Sequence, residues 1–300
     1  MPVVGEKVLF KREASMQDGE LREIEGFAVD IARKAGQLLS GYFQKPLAVE
    51  FKSKLRRDPV TEADKRSEEF LKEAIFKEFP EHSLLAEEGS QTDSQTSDFT
   101  WVLDPLDGTT NFLNGLPIYG VSIGVLYQGQ PVVGSIFLPS THSTQGSVFH
   151  ARTGGGAFRD NDPIRVAENP EPQRSQLTIL PTYYARAFRV KKGLRQQLGD
   201  VRAPGSISYE LAMTAVGTFQ YSLFGGPRIW DVAAGIPLIT EAQGVALVRR
   251  GDSRRWEPFT TFAKPLETSP SSSELKEWRG SWIFGNPSIA QYVASRITRR

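Results

Sequence analysis

Cysteine is absent from the 300 residues. Disulfides, thiolate metal sites and a cysteine nucleophile are therefore excluded. Histidine is nearly as scarce, with three at positions 82, 142 and 150 and no metal-ligand spacing among them. That sets aside a histidine-based zinc site and turns any metal toward carboxylates and a magnesium-like ion. No apolar run approaches the ~20 residues that span a bilayer. Met1–Glu20 is mixed in charge and lacks the apolar core of a secretory leader. Net charge is missing too: 36 basic and 35 acidic side chains leave +1. Nothing in that balance draws the whole molecule to nucleic acid or to a membrane, so anion binding must be local. The expected setting is the cytoplasm.

A chain of this length buries a substantial core and fits one large domain or two packed subdomains. Apolar spacing predicts a first helix over 21–43 after a loose arm at 1–19, and a second from Glu62 to Phe79. In the second, Phe70, Leu71, Ala74 and Ile75 face inward, Thr61 is the N-cap, Asp64 lies in the first turn and Pro80 ends the run. Ser83–Ala86 reads as a short strand and Gln91–Asp98 as a polar, mobile loop. Hairpins are expected at 119–138 around Gln128-Gly129-Gln130, and at 147–159 around the glycines 154–156. Those glycines lack the strand-to-helix setting of a nucleotide fingerprint. Beyond the Asn169–Pro172 segment the expected order is strand 176–180, helices 184–198 and 206–216, strand 219–223, helix 231–242 and strand 245–248. A long loop at 253–273, a strand at 281–284 and a helix at 288–297 follow. The change of pattern near 170 suggests a metal-site α+β subdomain over 1–170 with an antiparallel sheet, and an α/β subdomain over 171–300 that completes the active site.

Chemistry concentrates in Trp101-Val102-Leu103-Asp104-Pro105-Leu106-Asp107-Gly108-Thr109-Thr110-Asn111-Phe112. A buried strand runs into two carboxylates three residues apart, with Pro105 stiffening the backbone between them and Gly108 permitting a sharp turn. Two close carboxylates repel unless a cation sits between them, and a hard divalent ion with oxygen ligands is the natural candidate. The following Gly-Thr-Thr exposes N–H groups and hydroxyls suited to a phosphate oxygen. Three further segments bring acids to the ends of expected elements: Asp58-Pro59-Val60-Thr61-Glu62-Ala63-Asp64, Glu87-Glu88-Gly89 and Trp230-Asp231. Each alone is ordinary capping or loop chemistry.

Together, in this order, they resemble the inositol monophosphatase-like, lithium-sensitive phosphatases. The match continues through Asp231-Val-Ala-Ala-Gly and Thr240-Glu241-Ala-Gln-Gly244, and collinear elements run from about Leu21 to the C-terminus. The resemblance implies a layered αβαβα sandwich of the inositol monophosphatase/fructose-1,6-bisphosphatase type. It also implies Mg2+-dependent hydrolysis of a phosphate monoester with two or three ions per site. By motif, Glu87, Asp104 and the Leu106 carbonyl would hold the first ion, and Asp104, Asp107 and Asp231 the second. Asp64, Glu87 and Thr109 would serve catalysis, with Thr109 orienting the attacking water. Gly108, Thr109, Thr110, Ser206 and Arg228 would contact substrate. Direct attack by water is favoured over a phospho-enzyme on Asp104, because that carboxylate is committed to two metals.

The resemblance implies a small phosphorylated metabolite as the substrate. Inositol-selective members place a glutamate shortly before the Trp-Asp, whereas no acidic residue lies between Gly217 and Trp230 here. Arg228 offers a cation instead, either for a second phosphate, a carboxylate or a nucleotide anion, or for a surface carboxylate of the protein. Fructose 1,6-bisphosphate, histidinol phosphate and 3′-phosphoadenosine phosphate stand beside inositol phosphate. A regulatory binding protein with weak phosphatase activity is the alternative of another class. Resemblance also implies a homodimer. Arg56-Arg57 and Lys191-Lys192 read as solvated clusters, although Lys52, Lys54, Arg56 and Arg57 fall in a loop that approaches the metals in the family. The three histidines read as surface or hairpin residues, and Trp101 and Trp230 as core anchors.

Overall fold

Thr61 decides where the second helix begins. Its hydroxyl accepts from the N–H groups of Ala63 and Asp64, while the Asp64 carboxylate accepts from the Thr61 N–H, a reciprocal cap that opens the helix Glu62–Glu78. Leu71 and Ile75 are buried along it, with Phe70 and Ala74 packed alongside. The helix Asp18–Tyr42 turns Leu21, Ile24, Ala28, Ile31, Ala35 and Leu39 inward at helical spacing. These elements belong to a computed structural model that describes residues 18–51, 59–94, 97–140, 145–251, 253, 255–264 and 269–299. Of the arm expected at 1–19, Asp18 and Gly19 already belong to the first helix, while residues 1–17, Asp58, the Lys52–Arg57 cluster and His142 lie outside the described residues.

Both long helices cover one face of an eight-stranded sheet. Its order is 162–163, 156–159, 147–152, 130–138, 120–127, 99–107, 83–86 and 91–92. Neighbours are antiparallel except for Ser83–Ala86 beside Phe99–Asp107. The pleat sorts side chains between two cores: Trp101 and Leu103 face the helix pair, whereas Leu85 and Val102 face the other way. Beneath that second face lie the helices Ile207–Ala215, Ile229–Val232 and Gly235–Glu241, which share a core with a six-stranded sheet. That sheet runs 200–202, 177–179, 219–224, 281–285, 245–249 and 257–258. The helix Pro287–Ala294 closes its far side over Tyr221, Leu223 and Ile283. The layers are thus helix, sheet, helix, sheet, helix, a mixed α/β architecture.

Local pattern failed where a partner was distant. The helix expected over 184–198 is broken into Tyr184–Ala187, a strand Phe188–Val190 and Lys192–Arg195. Phe188–Val190 pairs with Ile297–Arg299, more than 100 residues away, and buries Phe188 in the outer core. The same pairing stops the last helix at Ala294 instead of Ile297. The helix expected over 231–242 is two, Ile229–Val232 and Gly235–Glu241. The loops expected at 91–98 and 253–273 contain short strands at Gln91–Thr92 and Glu257–Pro258. No helix among the described residues is long and apolar enough to cross a membrane.

Candidate active site

One extra residue in a strand sets the two central carboxylates. Asp104 pairs with Ser122 and Asp107 with Gly120, so three steps on one strand oppose two on its neighbour. The bulge falls at Pro105, which has no N–H to give the ladder. Gly108 follows at φ 84°. A Cβ there would lie 2.9 Å from the Ile118 carbonyl oxygen, so the turn requires glycine twice over. It launches the short helix Thr109–Leu113.

Asp64 reaches the same place from the capped helix. Its Oδ2 accepts from the Thr61 N–H at 2.7 Å and the Thr61 hydroxyl at 2.5 Å. The Thr109 hydroxyl lies 3.1 Å from Asp64 Oδ1 and 3.0 Å from the Leu106 carbonyl oxygen. It has one proton for two acceptors. Glu87 and Glu88 follow the strand Ser83–Ala86 and are half-buried. Asp231 arrives from the second half of the chain. Ser122, the cross-strand partner of Asp104, donates to the Trp230 carbonyl at 3.3 Å, which ties the two segments together. Asp231 Oδ2 in turn accepts from the Arg228 N–H at 2.6 Å. The Arg228 side chain and Thr110 stand exposed at the rim.

Electrostatics bind these acids into one group. Burial, then repulsion from Glu87, Asp107, Asp231 and Asp64, pushes the Asp104 carboxyl well above the usual range. Enclosure by protein and the charge of Asp107 do the same to Asp231, against the opposing pull of the Arg228 N–H and its cation. Burial raises Asp64 although the Thr61 and Thr109 bonds favour its anion. Among the described residues no Lys or Arg forms an ion pair with Asp64, Asp104, Asp107 or Asp231. Nor, among them, do three acidic or imidazole side chains already close on one point as a metal cage. One oxygen each of Asp104, Asp107 and Asp231 is committed to protein donors. The donor set is all oxygen, which suits a hard divalent ion.

Several supporting residues escaped the sequence reading. Glu68 is 6% exposed and accepts from the N–H groups of Glu88 at 2.9 Å and Ser90 at 3.0 Å, fixing the turn that carries both glutamates. Ser67 donates to the Pro105 carbonyl at 2.8 Å, inside the bulge. Both lie one turn beyond Asp64 on the same helix, and that spacing was the signal available. Asn111 donates to the carbonyls of Ile118 and Pro204, each at 2.8 Å. Glu210 accepts from the Gly205 N–H and is driven by burial to a pKa of about 8. Ser206, expected at the substrate, is 1% exposed and lies behind Asp107, donating to its Oδ2 at 2.6 Å. His82, expected at the surface, is half-buried and stacked between Phe79 and Phe99. His150 is the hairpin residue expected, and Trp101 and Trp230 are core anchors at 0% and 7% exposure. The glycines 154–156 form the expected turn, with Gly154 and Gly156 donating to Glu241 at 2.9 Å each.

Comparison with known proteins meets this geometry. The model of the inositol monophosphatase family matches residues 20–279. The chain belongs to the inositol monophosphatase family. It is 33% identical over 224 residues to the fructose-1,6-bisphosphatase/inositol-1-monophosphatase of Aquifex aeolicus, covering 71% of this chain and 81% of that one. It is 34% identical over 226 residues to the protein named Nus factor SuhB of Escherichia coli strain K12, covering 73% and 82%. The solved inositol monophosphatase from Anabaena (Nostoc) sp. PCC 7120 superposes with a TM-score of 0.68 at 30% identity, over 92% of this chain and 95% of that one. This inositol monophosphatase family member is a phosphatase, a phosphoric monoester hydrolase.

Proposed function

We propose that the protein releases inorganic phosphate from a small phosphate monoester with Mg2+, using water as the nucleophile. The observation that carries this reading is the group of five acids, Asp64, Glu87, Asp104, Asp107 and Asp231, drawn from four segments around Asp104, which the charges of the other four all push upward. Glu87, Asp104 and the Leu106 carbonyl would hold one ion, and Asp104, Asp107 and Asp231 another. Bound there, the ions would lower the pKa of a bound water and offset phosphoryl and leaving-group charge. The protein's own part is to orient and to move a proton. Thr109 holds the water through its hydroxyl, and the Asp64 carboxylate, made more basic than usual by burial, takes a proton handed on through Thr109. The N–H groups of Gly108 and Thr109 grip a phosphate oxygen, and Thr110 and Arg228 meet the rest of the ester at the rim.

Arg228 and the lack of an acid between Gly217 and Trp230 favour an ester with a second anionic group. The double name of the Aquifex aeolicus relative is in keeping with a range that spans sugar bisphosphate and inositol phosphate. Phosphate release from inositol phosphate, fructose 1,6-bisphosphate, histidinol phosphate and phosphoadenosine phosphate, with and without Mg2+, tests the reading. Asp104→Asn is expected to cut Mg2+-dependent turnover by roughly a thousandfold or more with the fold retained. Near-normal turnover in that variant would sink the assignment. The name of the E. coli relative motivates a second reading, a binding protein with little hydrolysis, which absence of release from all four esters would favour.

A further inference from the structure

We infer that Ser208 is a positioning residue whose hydroxyl fixes Asp107 for a divalent ion, an inference that rests on the metal-assisted reading above. Asp107 Oδ2 accepts three bonds: from the Ser206 hydroxyl at 2.6 Å, the Ser208 N–H at 2.6 Å and the Ser208 hydroxyl at 2.5 Å. No described donor is bonded to Oδ1. A carboxylate held so firmly by one oxygen cannot swing about its Cβ–Cγ bond, and it presents the other oxygen as a single ligand atom.

The surroundings are built for this contact. Gly120 stands opposite Asp107 in the strand register, and a Cβ on it would lie 2.7 Å from the Ser208 hydroxyl oxygen. Glycine at that position leaves the room through which Ser208 reaches the carboxylate. Ser206 caps the helix Ile207–Ala215, accepting from the Tyr209 N–H, so its hydroxyl serves helix and carboxylate together. Ser208 lies in the first turn of the same helix, where unsatisfied N–H groups favour negative charge. The turn that leads in is held from two sides, by Asn111 on the Pro204 carbonyl and by Glu210 on the Gly205 N–H. Ser208 therefore links a ligand from the first half of the chain to a rigid helix start in the second. Hydrogen-bond partners of metal ligands commonly tune affinity by about 10- to 100-fold.

The test titrates Mg2+ into metal-stripped full-length protein by calorimetry and measures the Mg2+ dependence of turnover. Ser208→Ala is expected to weaken Mg2+ binding by about tenfold or more and to raise the Mg2+ concentration for half-maximal turnover, with kcat recovering at saturating Mg2+. Ser208→Thr, which restores the hydroxyl, is expected to return both values toward wild type. Should the alanine variant fold poorly, Ser208→Cys keeps the volume with a weaker donor and is expected to lose affinity likewise. Wild-type Mg2+ affinity in folded Ser208→Ala would overturn the inference, and so would a loss that threonine does not restore. A wild-type protein that binds no divalent ion would instead remove the metal reading itself, and this inference with it.

Discussion

His82 shows what burial does to a single titratable group. Its ring stacks on Phe79 and Phe99 at centroid distances of 4.8 and 4.9 Å, and its Nδ1 accepts from the Trp101 indole N–H at 3.0 Å. Burial lowers its pKa from 6.5 to about 4. The unfolded chain therefore takes up a proton at higher pH than the folded one. The neutral ring's contribution to stability is present above pH 6.5 and is lost as pH falls toward 4. Two-dimensional NMR of the imidazole is expected to show His82 neutral at pH 6, and His82→Phe is expected to flatten the acid limb of the stability profile. The same variant orphans the Trp101 N–H, at a cost of about 1–3 kcal/mol near neutral pH. A His82 that titrates in the ordinary range would refute this account. His150 shifts the opposite way. Burial opposes its charge, but the 2.7 Å contact with Glu25 and the Asp160 carbonyl outweigh it. At this scale the sequence exposed the acids, because Asp104, Asp107 and Asp231 stand in dense motifs. It hid Ser208 and Glu68, which act through partners 101 and 20 residues away.

Elements are limited by packing as much as by propensity. Gly36 sits inside the helix Asp18–Tyr42, where alanine would ordinarily gain about 1 kcal/mol. Here a Cβ would run into the Phe137 ring, which is fully buried in the strand Gln130–Leu138. Gly36→Ala is expected to destabilise by about 1–3 kcal/mol through overpacking, read as a lowered urea midpoint with an unchanged m-value. A stabilised variant would mean that helix and sheet slide apart freely. Legibility follows the same physics. The helix Glu62–Glu78 was readable because Thr61, Asp64 and the apolar stripe are all local, and the hairpin at 120–138 because its turn and alternation are contiguous. The strand Phe188–Val190 was not, since only the distant Ile297–Arg299 makes it a strand. The break after Val232 was equally hidden. Near it, Gly124 and Gly134 admit the backbone of Ala233 and Ala234 against the sheet, a contact with no local trace.

Across the whole molecule, the fold carries a cost that its function explains. Two sheets and the helices between them bring Asp231 beside Asp64, Asp104 and Asp107, and both Asp104 and Asp231 are held well above their ordinary value of 3.8. For an acid raised by folding, stability is fully present below its unfolded pKa and is lost as pH rises through the folded one. Metal-free protein should therefore lose part of its stability as pH rises above about 4, over and above the trend set by other groups. Asp104→Asn isolates that part, because asparagine carries no charge yet keeps an oxygen for the Leu106 N–H. The variant's melting temperature, relative to wild type in EDTA and followed over about pH 4 to 8, is expected to rise with pH above about 4. Mg2+ should reverse the order. At a hundredfold excess over its Kd an ion adds about 2.7 kcal/mol to the form that binds it, and wild type gains this while Asp104→Asn gains little. Calorimetric melts across that range, with EDTA and with Mg2+, decide the matter. A difference that ignores pH, or equal stabilisation of both proteins by Mg2+, would show that these acids neither repel one another nor share an ion.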